Sequence, residues 1–183
     1  MLRNGPDRFG LPTRVLHWTM AAGILATLPI GLWIADAPPS LALIKWFGIH
    51  KTIGLSLLAL ILVRLAWHRA SPPPPPIPGH PRWADRLARA THRTFYALLV
   101  LVPLAGWVAS SATGLDTVVF GRWTVPSIAP ASPAIEGAAF ALHRAGAWLL
   151  GALVLLHVAG ALRRATRGDG TLRRMITGRS HPG

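Results

Sequence analysis

Eight histidines stand along the chain, at positions 17, 50, 68, 80, 92, 143, 157 and 181. His17, His50, His68, His92, His143 and His157 lie in or beside long apolar stretches, where an ionisable side chain is costly and points to function by default. His80 falls in a proline-rich stretch and His181 near the C-terminus, and both read as solvated residues. His143 and His157 are fourteen residues apart. At ~100° and ~1.5 Å per residue they share one helical face and stand about 21 Å apart along the axis. That is too far to share one metal ion. It suits two separate sites at two depths.

Each site needs a partner at its own depth. In an antiparallel bundle His17 matches His157 at one end, and His50 matches His143 at the other. Two neutral imidazoles from facing helices are the axial ligand set of a six-coordinate haem iron. The chain has no cysteine, which excludes iron–sulfur clusters, thiolate zinc sites and thioether-attached haem. No Asp or Glu falls within the apolar stretches, which argues against a zinc or di-iron site there. One turn after each of the four histidines stand Ala21, Gly54, Ala147 and Ala161. Small residues leave room for a flat macrocycle, and they equally ease close helix packing.

Haem propionates call for nearby cations. Lys51 and Arg144 directly follow two of the histidines, and Arg14, Arg64 and Arg93 are candidates at the other end. Each of these also reads as an ordinary cation at a membrane boundary. His92, with Tyr96 one turn on, suits three roles: facing a quinone, bonding a propionate, or marking the interface. Arg14 joins them as a candidate for a quinone or supporting role, and His68 reads as interfacial. A histidine in a span also serves as an interhelical hydrogen bond or a proton relay. No residue is singled out as catalytic.

These residues need long apolar helices to position them, and the composition supplies these. The 183 residues are 51% hydrophobic and only 14% charged, with mean hydropathy +0.41 and formal net charge +13. A typical soluble domain is about 25% charged. No charge occurs from Val15 to Ala35, Thr52 to Val63, Thr94 to Leu115, or Ala145 to Leu162. Crossing ~30 Å of hydrocarbon takes about 20 helical residues. The reading is therefore an all-α, four-helix transmembrane bundle forming one membrane domain over residues 1–183, with spans near 14–34, 46–67, 92–111 and 139–162.

Of the 19 Lys and Arg, 15 fall on the side that holds both termini and the second connection, and 4 on the other. The positive-inside rule puts both termini in the cytoplasm. The basic excess reads as topology, and no nucleic-acid partner is expected. The first span is longer than a signal-peptide core, so cleavage after Ala37 is not expected. Residues 71–81 read as an extended proline-rich cytoplasmic connection. Trp83–Arg93 reads as a separate amphipathic turn or two at the surface, 114–137 as a periplasmic loop, and 164–183 as a basic cytoplasmic tail.

Together these features resemble the bacterial cytochrome b561 family over nearly the whole chain. The likeness is carried by Arg14-Val15-Leu16-His17-Trp18, by Ile49-His50-Lys51 with Gly54, and by His92 with Tyr96, Leu98, Pro103 and Gly106. It continues in His143 and His157 and in the ending Asp169-Gly170-Thr171-Leu172-Arg173-Arg174-Met175. The resemblance implies a multi-pass protein of the bacterial inner membrane with two non-covalent b-type haems, held by His17, His50, His143 and His157. It also implies a quinone such as ubiquinone as redox partner. One branch of that family oxidises superoxide at the outer face and reduces ubiquinone, and this chain is similar to it in size and layout. The related cytochrome b subunits of hydrogenases are similar too. They imply the alternative of a non-catalytic anchor and electron conduit for a periplasmic oxidoreductase.

Overall fold

The computed structural model describes residues 1–79 and 81–179; His80 and His181 lie outside them. Four long helices, α1 (Leu11–Asp36), α2 (Leu41–Ala70), α3 (Arg82–Ala112) and α4 (Pro133–Thr166), are each long and apolar enough to cross a membrane. Between α3 and α4 lies a hairpin of β1 (Thr117–Val119) and β2 (Trp123–Val125), and a short α5 (Thr171–Thr177) follows α4. α1 packs along α2, α2 along α3, and α3 along α4. Neither α1 nor α2 runs closely along α4. The shared core draws Met20 and Ile24 from α1, Leu57 and Ile61 from α2, Leu98, Leu99 and Val102 from α3, and Leu150 from α4. α3 is the most enclosed helix and α4 the least. The outward leucines of α4, such as Leu142 and Leu155, are exposed, as a lipid-facing stripe requires.

Every helix extends beyond its apolar window. Trp83–Arg93 is not a separate surface turn but the opening of α3. No Gly or Pro interrupts that stretch, and its Ala, Arg and Leu are good helix formers, so nothing stops the helix at the membrane boundary. Pro81 precedes it as N-cap and Asp85 lies in its first turn, where a negative charge suits the helix dipole. Ser40 caps α2 by accepting the Leu43 N–H at 3.1 Å. Ser132 caps α4 ahead of Pro133, which starts that helix within the expected loop.

The loop at the far end is also ordered. Phe120 (φ 53°) and Gly121 (φ 62°) turn the chain tightly, and β2 pairs antiparallel with β1. The Phe120 N–H donates to Thr52 Oγ1 at 2.9 Å, which fastens the hairpin to α2. Ser110 and Thr117 hydroxyls meet at 2.8 Å, and the Trp107 indole donates to the Pro126 carbonyl at 3.1 Å.

At the end that carries the termini, the N-terminal segment folds back over the helix ends. Asn4 is the junction. Its Nδ2 donates to the Ser71 carbonyl at 2.7 Å, and its Oδ1 accepts from the Gly10 N–H at 2.8 Å and from Thr13 Oγ1 at 2.9 Å. Thr13 is fully buried and also accepts from the Trp67 indole at 3.0 Å. Asn4→Ala removes three hydrogen bonds at once and is expected to cost about 2 kcal/mol. A thermal melt in detergent checks this, and an unchanged Tm would show that the junction contributes nothing. The residues expected as a basic cytoplasmic tail include α5, whose Arg174 is only 5% exposed. Burial lowers the pKa of that guanidinium, and Asp7 opposes the shift.

Candidate functional site

Four of the histidines stand in two facing pairs. The ring centres of His17 (α1) and His157 (α4) lie 6.2 Å apart, with the planes at 61°. Those of His50 (α2) and His143 (α4) lie 5.9 Å apart, at 81°. Each pair spans a gap between helices that do not pack along each other. One metal ion bonded to an imidazole nitrogen on each side at about 2.0–2.1 Å holds two ring centres roughly 6 Å apart. Both pairs therefore have a spacing at which one metal ion could bond an imidazole nitrogen from each side.

The second ring nitrogen determines which one is left for a metal. His143 Nδ1 lies 2.8 Å from the Val102 carbonyl. A carbonyl only accepts, so Nδ1 carries the proton and Nε2 keeps its lone pair. His50 Nδ1 is 3.1 Å from Thr27 Oγ1, and when the ring donates to that hydroxyl Nε2 keeps its lone pair. Two glycines allow these rings to sit so close to the helices. A Cβ on Gly31 would lie 2.8 Å from His50 Cε1, and one on Gly106 would lie 2.9 Å from His143 Nδ1. Real Cβ atoms do not approach that closely, so both positions need glycine.

The donor set fits haem. Among the described residues, no group of three or more His, Asp or Glu could hold a bare metal ion. Two imidazole nitrogens would suit an iron that already has four ligands from its macrocycle. A Cβ on Gly54, one turn from His50, would meet no protein atom within 4 Å, so this helix surface is open.

The remaining candidates take separate places. Arg64 sits between His17 and Tyr96: Nη1 is 3.5 Å from His17 Nδ1, and the guanidinium is 5.9 Å from the centre of the Tyr96 ring. His92 and Phe95 each bring a ring centre within 5.5 Å of His157. His68, read from sequence as interfacial, bonds through Nδ1 to the Tyr96 hydroxyl at 2.9 Å. Arg14 reaches the Ile176 carbonyl of α5 at 2.9 Å instead of either histidine pair. Arg93 is exposed. Lys51 is half-buried and Arg144 exposed, next to His50 and His143 in the chain. Thr27 and Gly31 escaped the sequence reading. A polar residue and a glycine four apart on the first span were the available signal, but nothing tied them to a histidine on another helix.

The sequence model for prokaryotic cytochrome b561 matches residues 8–178. The chain is also similar to "Cytochrome b561 homolog 2" of Escherichia coli (strain K12). The two are 32% identical over 178 residues, covering 94% of this chain and 93% of the relative.

Proposed function

The chain belongs to the prokaryotic cytochrome b561 family, and from that premise we propose that it moves electrons between a periplasmic-side donor, for which superoxide and a periplasmic redox protein are the candidates, and a membrane quinone. The family fixes the coarser statement: this is a multi-pass membrane protein of transmembrane electron transfer through b-type haem. The finer reading is two haems per chain, one held by His17 and His157 and one by His50 and His143. It rests above all on two imidazole pairs with ring centres 6.2 and 5.9 Å apart. The basic excess at the end of the termini supports an inner-membrane orientation with both termini cytoplasmic.

Bound b haem supplies reversible one-electron chemistry at iron. The protein's residues supply the rest. The Val102 carbonyl and the Thr27 hydroxyl orient His143 and His50, and the carbonyl raises the basicity of His143. Lys51 and Arg144 supply positive charge where an anion arrives and where propionates need partners. His92 and Tyr96 stand beside the inner pair, where a quinone head group needs hydrogen-bonding groups. Arg14 is held by α5 and acts only through it. Two superoxide anions release two electrons and leave two O₂, and a quinone takes up those electrons with two protons to give the quinol.

Purified protein is expected to show a b-type absorption spectrum with about two non-covalent haems per chain. A folded but colourless protein would overturn the haem assignment. Superoxide-driven reduction of a ubiquinone analogue tests the substrates. Loaded protein that is inert to both superoxide and quinol would instead identify an electron conduit for a periplasmic enzyme.

A further inference from the structure

A seven-residue helix such as α5 is far too short to hold itself together in water. Its contacts converge on the turn of α1 that carries His17. Trp18 donates its indole N–H to the Met175 carbonyl at 3.2 Å, and Arg14 donates Nη1 to the Ile176 carbonyl at 2.9 Å. Both acceptors belong to the last turn of α5, where carbonyls lack helical partners and a cation suits the dipole. Gly178, at φ 99°, closes that turn by donating to the Arg174 carbonyl at 3.0 Å. Its own carbonyl accepts from the Phe9 N–H at 3.0 Å. Arg174 locks the far side, with Nη1 on the Pro75 carbonyl at 3.0 Å and its guanidinium 5.2 Å from the centre of the Phe9 ring.

Two further contacts lead from this helix toward the helices of the inner histidine pair. The Trp18 ring stands edge-on to His17, with centres 5.1 Å apart. α5 also packs against α4, the helix of His157. A single short helix thus touches both of the helices whose histidines face each other but whose backbones do not run together.

We propose that α5 is a positioning element of the inner haem site, holding Trp18 and Arg14, and through Trp18 the ring of His17, in the place that ligation requires. This rests on the assignment of His17 and His157 as ligands. The tail then sets how tightly the inner haem is retained and at what potential, while the outer site, at the other end of α4, is independent of it.

Two full-length variants test this in the haem-loaded protein. Trp18→Phe keeps an aromatic ring against His17 and removes only the N–H to Met175. Gly178→Ala leaves α1 untouched. It strains a left-handed turn and brings a Cβ to 3.1 Å from the Phe9 carbonyl oxygen and 3.3 Å from Arg14 Nη1, loosening the latch. Haem release to a haem-free globin, low-spin EPR signals and redox titration are the readouts. Both variants are expected to release the inner haem about tenfold faster, as loss of a group supporting a metal ligand does. Both should shift the inner haem's EPR signal and potential and leave the outer haem unchanged. Wild-type release and potential of the inner haem in both variants would overturn the proposal, as would an equal change at both haems. His17→Ala keeps the two readings apart. If it leaves both haems in place, the ligand assignment fails. If it removes one haem that Trp18→Phe and Gly178→Ala leave untouched, the ligand assignment stands and the role of α5 falls.

Discussion

A His17→Ala chain is expected to purify with one b haem instead of two, and His157→Ala should lose the same one. The two rings face each other with centres 6.2 Å apart. His92 also stands 5.5 Å from His157, with the planes at 64°, and Arg64 lies against His17. Loss of either histidine would leave an iron with one protein ligand. The other site survives because about 21 Å of α4 separates the two, beyond the range over which substitutions usually couple. His50→Ala and His143→Ala are expected to remove the other haem and leave the first. Haem-to-protein ratio and low-spin EPR signals check all four variants. If His17→Ala and His143→Ala removed the same haem, the pairing by depth would be wrong.

That these rings face each other was legible because helical periodicity is a long-range ruler inside a membrane. Fourteen residues between His143 and His157 determine a face and a separation, and antiparallel spans then determine depth. The four long helices were legible for a related reason, since apolar windows with no charge have few alternatives. Their ends were not. Hydropathy registers where the hydrocarbon stops, whereas α3 begins at Arg82 because nothing in the following stretch breaks a helix. The hairpin had a local signal in Val118-Val119-Phe120-Gly121-Arg122-Trp123-Thr124-Val125, with β-branched residues flanking a glycine.

The docking of α5 had no such signal. It depends on two side-chain donors meeting backbone carbonyls 157 and 162 residues away. A composition of Arg, Thr and Gly after the last span reads as a solvated tail unless those contacts are seen. The supporting groups of the outer pair were hidden in the same way. Val102 contributes only its carbonyl, which every residue has, and Thr27 and Gly31 are ordinary components of an apolar helix. Ala21, Gly54, Ala147 and Ala161 were read as the small neighbours of the ligands. The glycines that press on the rings, Gly31 and Gly106, belong to different helices from the histidines they accommodate.

Gly106→Val should therefore abolish most outer-haem binding without altering a ligand. A Cβ at this position would lie 2.9 Å from His143 Nδ1 and 3.0 Å from Cε1. The ring cannot swing away freely, because Nδ1 is held by the Val102 carbonyl at 2.8 Å. The helices cannot part easily either. A Cβ on Gly146 would come within 2.6 Å of Val102 Cγ2, so α3 and α4 are already at close approach on the next turn. Valine must then displace the ring and break its hydrogen bond. Overpacking of this kind costs about 1–3 kcal/mol, and loss of the group that orients a metal ligand weakens binding by about 10- to 100-fold. Gly31→Val should act on His50 in the same manner from α1, where the ring carbon would be 2.8 Å away. Gly137→Val is the matched control, since a Cβ there meets nothing within 4 Å. Haem retention during gel filtration distinguishes the three, with the outer haem lost from the first two and both haems kept in the control. Retention of both haems at wild-type affinity in Gly106→Val would mean that His143 does not depend on its contact with α3. The facing of His50 and His143 would then need a different support.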